Sequence, residues 1–402
     1  MILTTTQDQR GLPRYFSQAF AMAQAMDRGR LDVVLPDGRI FRAEGANPGF
    51  VAEVHIHNPD CFARLIREGD VGFSEAYLDG WWSTPDLQAL LDLIHDGNDT
   101  LYYGFPGMGL IRLYERIRHA LRDNSRRQAR KNISYHYDLG NDFYKLWLDE
   151  TMTYSSALFD DGQQSLERAQ IRKYASMVDQ MGAAPGDHIL EIGCGWGGFA
   201  EYAARERGLR VTGLTISREQ FNYAVERIEK AGLSDRVSFK LQDYRDERGS
   251  YDGIASIEMF EAVGEKYWPA YFSTLRDCLK PGKSATLQII TVQDEKFEVY
   301  RKGVDFIQKY IFPGGMLPSP AVLRRQAVQA GLTVTNSIEF GESYSQTLRR
   351  WHETFNARWE DVAALGFDER FRRMWNFYLA SCASTFHGGH CDVTQVTITK
   401  PA

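Results

Sequence analysis

From Asp187 onward the chain alternates short apolar runs with amphipathic stretches, and this rhythm restricts the fold more than any other feature. DHILEIG reads as a strand and FAEYAARERG as a helix, and LRVTGLTIS with REQFNYAVERIEKAG repeats the pair. RVSFKLQD, YDGIASIEM and SATLQIIT supply three further strands. Strands joined through helices run parallel, so the spacing predicts an α/β domain with helices on both faces of its sheet. The interval from about 290 to 348 breaks the rhythm and carries KYIFPGGMLPS. It is expected to cover the C-terminal edge of the strands, where open α/β sheets bind ligands.

Directly after the first of these strands, Glu191, Gly193, Gly195, Gly197 and Gly198 form an E-x-G-x-G-x-G-G run. Glycines at such a turn let the backbone approach a ligand closely and start the next helix tightly. Dinucleotide enzymes share this turn, but they also place an acid at the end of the second strand, about twenty residues on. Here that position reads Leu214 and Thr215, whereas Gln242 and Asp243 end the third strand. The arrangement points to S-adenosylmethionine rather than a nicotinamide dinucleotide.

The first third reads differently. LDVVLPDGRIFRAEG predicts a hairpin from Leu31 to Ala43 around a Pro-Asp-Gly turn, and VAEVHIHN a strand. CFARLIREG and DLQALLDLIHDG read as helices, each ending at a glycine. A chain of 402 residues exceeds what one core usually needs. A smaller N-terminal α+β domain is therefore expected over 1–130, followed by the α/β domain over 131–402. The stretch from Ile111 to Lys131 holds eight Arg or Lys and two acids inside a chain of net charge −6. The acidic total argues against a nucleic-acid partner. The segment Arg112 to Lys131 is suited to transient contact with an anionic lipid surface. No run of eighteen apolar residues predicts a membrane span, and no leader is read at the N-terminus. Five cysteines without paired or metal-type spacing predict reduced thiols, a cytoplasmic location and no metal site.

The glycine run, followed by GLTIS with Gln220 and by LQDYRD, resembles the cyclopropane-fatty-acyl-phospholipid synthase family. Mycolic-acid cyclopropane synthases and related lipid C-methyltransferases are grouped with it. The likeness continues through HYDLGNDFYKLWLD, MTYS, MFEAVG, KYIFPGGMLPS, FGESYSQTL and ERFRRMWNFYL, and reaches SEAYLDGWW in the N-terminal part. It implies a class I methyltransferase fold, a Rossmann-like sheet with S-adenosylmethionine as methyl donor. Carried over by position, it implies Tyr154 and Ser155 at the methionine end of the donor, with Gly193 and Gly195 along its backbone beside Glu191. It implies Thr215 and Gln220 at the ribose, and Asp243 with Tyr244 at the adenine. Neutral Thr and Gln suit hydroxyl groups, and a carboxylate can accept from an exocyclic amine. The resemblance further implies an unsaturated phospholipid substrate met at the inner membrane surface. It also implies a homodimer or higher oligomer through a lipid-binding N-terminal domain.

Methylating a cis double bond leaves a carbocation, which needs a site that excludes water and offers aromatic rings and a carboxylate. In the family a bound bicarbonate removes the proton, and its implied holders here are Glu261, Tyr344 and the backbone at Ile290. Two positions depart from the family pattern. Ser156 stands where a cysteine is usual, and Gln288 where a histidine is usual. Serine keeps its hydrogen-bonding capacity. Gln288 cannot titrate near neutral pH as imidazole does, though its amide can donate to an anion. An altered base corner is expected to take a different proton, giving a methyl- or methylene-branched acyl chain. The alternatives are true ring closure, methyl transfer to a small amine, and donor or lipid binding without catalysis.

Overall fold

The computed structural model describes residues 2–96, 139–162 and 164–402. The basic segment Arg112 to Lys131 and the boundary expected near 130 lie outside the described residues.

The N-terminal unit is a five-stranded sheet of β1 (Ile2–Leu3), β2 (Arg28–Val34), β3 (Ile40–Glu44), β4 (Asn47–Ile56) and β5 (Trp82–Ser83), in the order β1-β3-β2-β4-β5. Strands β2 and β3 form the expected hairpin, with Leu31 opposite Ala43 and Val34 opposite Ile40. Gly38, at φ 85°, makes the left-handed turn between them. The helix expected to stop at Gly69 does end there, and a second helical piece follows at once, so that Cys61–Leu78 is two helices joined at a kink. Gly69, at φ 63° and ψ −137°, is non-helical and forms the kink, and Val71, Ser74 and Leu78 give the second piece its buried face. The following helix, Leu87–His95, starts where Asp86 accepts the Ala89 N–H at 2.9 Å.

The larger sheet holds β6 (His188–Ile192), β7 (Arg210–Thr215), β8 (Val237–Leu241), β9 (Tyr251–Ile257), β10 (Leu279–Val292), β11 (Thr333–Glu339) and β12 (Cys391–Thr399). Their order is β11-β12-β10-β9-β6-β7-β8. Strands β6 to β10 are parallel, as the alternation requires, while β12 runs antiparallel between β10 and β11. The strand order reverses between β6 and β9, and the crevice beyond the ends of those strands is where such sheets bind ligands. Within 290–348, the helices Asp294–Tyr300 and Phe306–Tyr310 precede a turn tied to the strand ends by the Met316 N–H on Glu261 O at 2.9 Å. The helix Pro320–Gln329 and β11 return the chain to the sheet, so only the first part of the interval is free to act as a cover.

One apolar core joins the two units. Phe16, Phe41, Trp82 and Leu91 belong to the same cluster as Trp351, Phe355, Trp375 and Leu379. These last four lie on the long helices Gly341–Ala357 and Glu369–His387. Beside that core, buried Asp92 accepts from Arg349 at 2.9 and 3.0 Å, from Ser384 at 2.8 Å and from Gln88 at 3.0 Å. Among the described residues no helix is long and apolar enough to cross a membrane. Removing the Asp92 carboxylate would leave Arg349, Ser384 and Gln88 short of an acceptor. Asp92→Ala is expected to lower unfolding stability by about 2 kcal/mol, read as a reduced denaturation midpoint.

Candidate active site

A single cavity of about 1510 Å³ begins at the glycine turn, passes the ends of β9 and β10, and continues into the N-terminal unit. At the turn, the Gly193 and Cys194 N–H groups both donate to Leu214 O at 2.9 Å, which locks the loop against the end of β7. Gly193 has φ 82°, and a Cβ there would meet Met259 Cγ at 2.6 Å. Gly195 has φ 51° with nothing within 4 Å of the position its Cβ would take. These bare backbones form a trough that leads to the first turn of the helix Gly198–Arg207. Buried Glu191 lines it, and its Oε2 has no hydrogen-bond partner among the described residues. Burial pushes its carboxyl well up.

The other residues expected around the donor converge on the same trough. Thr215 Oγ1 donates to Gln220 Oε1 at 3.0 Å and accepts the Ser217 N–H at 3.1 Å, and both side chains line the cavity. Asp243 grips the Arg245 guanidinium through both oxygens, at 2.8 and 2.6 Å. Tyr244 lies edge-on to Tyr271 at 5.4 Å and lines the cavity beside Asp243. Tyr154 shares a 2.6 Å hydrogen bond with Tyr378, and Ser155 Oγ accepts from Lys173 Nζ at 2.7 Å. An extended donor with an adenine at one end and a charged methionine end at the other fits this cradle. Thr215 and Gln220 would meet its sugar, and when bound it supplies an electrophilic methyl group.

The reacting corner lies at the ends of β9 and β10. Glu258, the first residue after β9, has φ 48°, an uncommon conformation for a side-chain-bearing residue. Its Oε1 accepts from the Ser156 N–H at 2.7 Å and from Gln288 Nε2 at 2.8 Å. The Tyr344 hydroxyl also donates to this carboxylate. Gln288 is fully buried, donates again to Ser156 O at 3.2 Å, and accepts from Gln395 Nε2 at 3.0 Å. Ser156 turns its hydroxyl away to Ala157 O at 2.9 Å. Ser156 and Gln288 therefore stand behind Glu258, while Glu258, Glu261, Ile290 and Tyr344 line the cavity.

Glu261 accepts the Ile290 N–H at 2.6 Å through Oε1, and its buried Oε2 has no partner among the described residues. Burial and the neighbouring Glu258 charge push its pKa up to about 8. Burial also raises Glu258, but the buried Lys173 ammonium and the donors on it pull the other way. Burial in turn drives Lys173 down. Burial leaves Glu258 raised on balance, though three hydrogen-bond donors and Lys173 favour its ionised form, whereas Glu261, with one donor, holds a proton at neutral pH. The sequence reading assigned neither Glu258 nor Lys173. The signal for Glu258 was present in S-I-E-M-F-E, which sets two carboxylates three residues apart at a strand end.

A carboxyl raised from 4.5 to about 8 contributes stability that is complete below pH 4.5 and lost as the pH rises through 8. Glu261→Gln is therefore expected to flatten the fall in melting temperature between those limits, and an unchanged pH profile would contradict the assignment.

Comparison with known proteins gives this geometry its setting. Residues 124–396 match the family model described as mycolic acid cyclopropane synthetase. The tuberculostearic acid methyltransferase UfaA1 of Mycobacterium tuberculosis is 40% identical over 384 residues, 92% of this chain and 88% of that protein. The cyclopropane-fatty-acyl-phospholipid synthase of Escherichia coli K12 is 36% identical over 87% of this chain and 88% of its own length. Among solved structures, mycolic acid cyclopropane synthase CmaA1 complexed with SAH and CTAB superposes with a TM-score of 0.64 at 32% identity. That superposition covers 67% of this chain and 98% of CmaA1. By the extent of these matches, the chain belongs to the mycolic acid cyclopropane synthetase family and is an S-adenosylmethionine-dependent methyltransferase.

Proposed function

We propose that the enzyme methylates the cis double bond of unsaturated acyl chains in phospholipids and releases a methyl- or methylene-branched chain, with Glu258 as the proton acceptor. The observation that carries this reading is the Glu258 carboxylate itself. It takes the Ser156 N–H, the Gln288 amide and the Tyr344 hydroxyl, and so fills the corner beside Tyr344 where the resemblance puts a bicarbonate. A side-chain carboxylate in that place makes bicarbonate unnecessary. The 40% identity to a protein named as a tuberculostearic acid methyltransferase supports the branching outcome.

The chemistry balances on these residues. The π pair of the double bond forms the new carbon–carbon bond to the methyl group, and the bond to the departing sulfur breaks. Positive charge is left on the adjacent chain carbon. Tyr154, Tyr344 and Phe386 line the cavity and bring aromatic rings close to that charge. Loss of a proton to Glu258 Oε2 then ends the reaction. If the proton comes from the chain, or from the methyl group after a hydride shift, the product is a branched alkene. If it leaves the methyl group while that carbon closes on the cation, the product is a ring. An acceptor held rigidly by three donors meets one proton rather than several, and Gln288 offers no second titrating group nearby.

Glu258→Gln is expected to lower turnover by roughly 10²–10⁴-fold while S-adenosylhomocysteine binding persists. Wild-type turnover is expected to be unaffected by bicarbonate depletion. Glu258→Gly relieves the left-handed backbone but leaves the Ser156 N–H, the Gln288 amide, the Tyr344 hydroxyl and buried Lys173 without that acceptor, so it is expected to be less stable by about 2 kcal/mol and to regain activity on adding bicarbonate. Wild-type dependence on bicarbonate would overturn the role given to Glu258. Mass spectrometry of phospholipids from an expressing host should show branched chains, and a saturated ring as sole product would refute the branching reading. Gln288→His is expected to raise the share of ring.

A further inference from the structure

We infer that Glu75 is a positioning residue for the reaction: it clamps the cover, residues 294–317, to the N-terminal unit and so keeps water away from the cation. The inference rests on the carbocation chemistry proposed above. Two stretches that the donor trough leaves without a role meet at this residue, SEAYLDGWW of the N-terminal unit and KYIFPGG of the cover. Glu75 lies on the buried face of the helical piece that follows Gly69. Its Oε1 accepts from Lys309 Nζ at 2.7 Å and from the Tyr310 hydroxyl at 2.5 Å, both on the cover helix Phe306–Tyr310. Its Oε2 accepts from Arg64, on the piece before Gly69, and Arg64 also donates to Asp79 at 2.7 Å. Burial by itself raises the Glu75 carboxyl, but the hydrogen bonds from Lys309, Tyr310 and Arg64 outweigh it and hold it below its ordinary value. The group that ties the cover down is therefore a carboxylate.

The tie reaches the reacting corner through few bonds. Gln308, next to Lys309, donates to Gly315 O at 3.1 Å, and the Met316 N–H donates to Glu261 O at 2.9 Å. Phe306, Lys309, Phe312 and Met316 line the same cavity as Glu258 and Glu261, so lifting the cover would open that corner to solvent. The cover must still part to admit a long chain. An apolar seam resists parting, whereas the ions of a buried pair regain hydration when water reaches them, which offsets much of what the pair loses. A charged tie suits a contact that closes firmly and reopens. Closure then decides the product as well as the rate. Water that reaches the cation adds through its oxygen to the charged carbon and gives up a proton to solvent, leaving a methyl-branched alcohol in place of the alkene.

Products made by the full-length enzyme on vesicles of an unsaturated phospholipid, in water enriched in heavy oxygen, test this role. Wild type is expected to give labelled alcohol only as a trace. Glu75→Gln keeps the size of the side chain and removes its charge, and Tyr310→Phe removes one donor from the opposite side of the tie. Loss of a charge-assisted hydrogen bond from the closed form shifts an open–closed population by about tenfold or more. Glu75→Gln is accordingly expected to raise the labelled alcohol's share of product about tenfold or more, and Tyr310→Phe to raise it by a smaller factor. Melting temperature and S-adenosylhomocysteine affinity check that each variant is folded.

A folded Glu75→Gln with lower turnover and unchanged products would make Glu75 structural only and overturn the inference, as would unchanged turnover with unchanged products. Where Glu75→Gln fails to fold, Tyr310→Phe carries the same criterion. The wild type reads the underlying chemistry separately. No methylated phospholipid from it would remove the carbocation reading and the clamp's role together, whereas a methylated alkene or ring from it, with no alcohol from either variant, would overturn the clamp alone.

Discussion

A buried carboxylate organises the reacting half of this molecule. Glu258 is held by a backbone N–H from the segment before the helix Leu166–Met181, by Gln288 of β10 and by Tyr344 of the helix Gly341–Ala357. Gln288 is held in turn by Gln395 of β12, and Gln395 accepts from Ser176 and Gln180 of the helix Leu166–Met181. A charge taken out of water is costly unless every neighbouring donor is satisfied by it, and a satisfied network then permits only one arrangement of its members. Lys173, fully buried on that same helix, supplies the compensating charge and holds Ser155. The strain at Glu258 is thus maintained by contacts from four separate elements, which is how a residue can persist in a sparsely populated backbone conformation at a working site.

The sheet brings this corner to the methyl donor. Because the strand order reverses between β6 and β9, the glycine turn after β6 and the Glu258 turn after β9 open into the same crevice. Met259 touches the space above Gly193, so the base corner and the donor trough share a wall. Two buried carboxyls beside the donor trough, one held by three donors and the other by one, suit the proposed reaction, which creates a cation and then discharges it. The apolar continuation into the N-terminal unit gives the same crevice a second axis, along which a chain can be held while its middle reacts.

Much of this was legible in the residues. The period of apolar runs named the parallel strands, and the run from Glu191 to Gly198 located the donor turn. The Pro-Asp-Gly turn marked the hairpin. These are local features, set by side-chain alternation and by the few residues that tolerate left-handed backbone. Gly69 ends its helix as the glycine signal predicts, and what the signal left open is the second helix that starts directly after it. A glycine signals freedom to turn, but whether a new helix follows at once depends on what the next turns can bury.

The sequence by itself determined the sheet, the donor turn and the family, because each is encoded in short-range spacing. The tertiary structure decided how the two carboxyls differ, since Glu258 and Glu261 sit in one motif and are set apart by the donors that distant segments bring to them. It decided that Gln288 and Ser156 support the corner from behind, a matter of side-chain direction that residue type does not specify. It also decided that one cavity crosses from the methyltransferase sheet into the N-terminal core. Continuity of empty space arises from how two units pack, and no residue pattern along the chain records it.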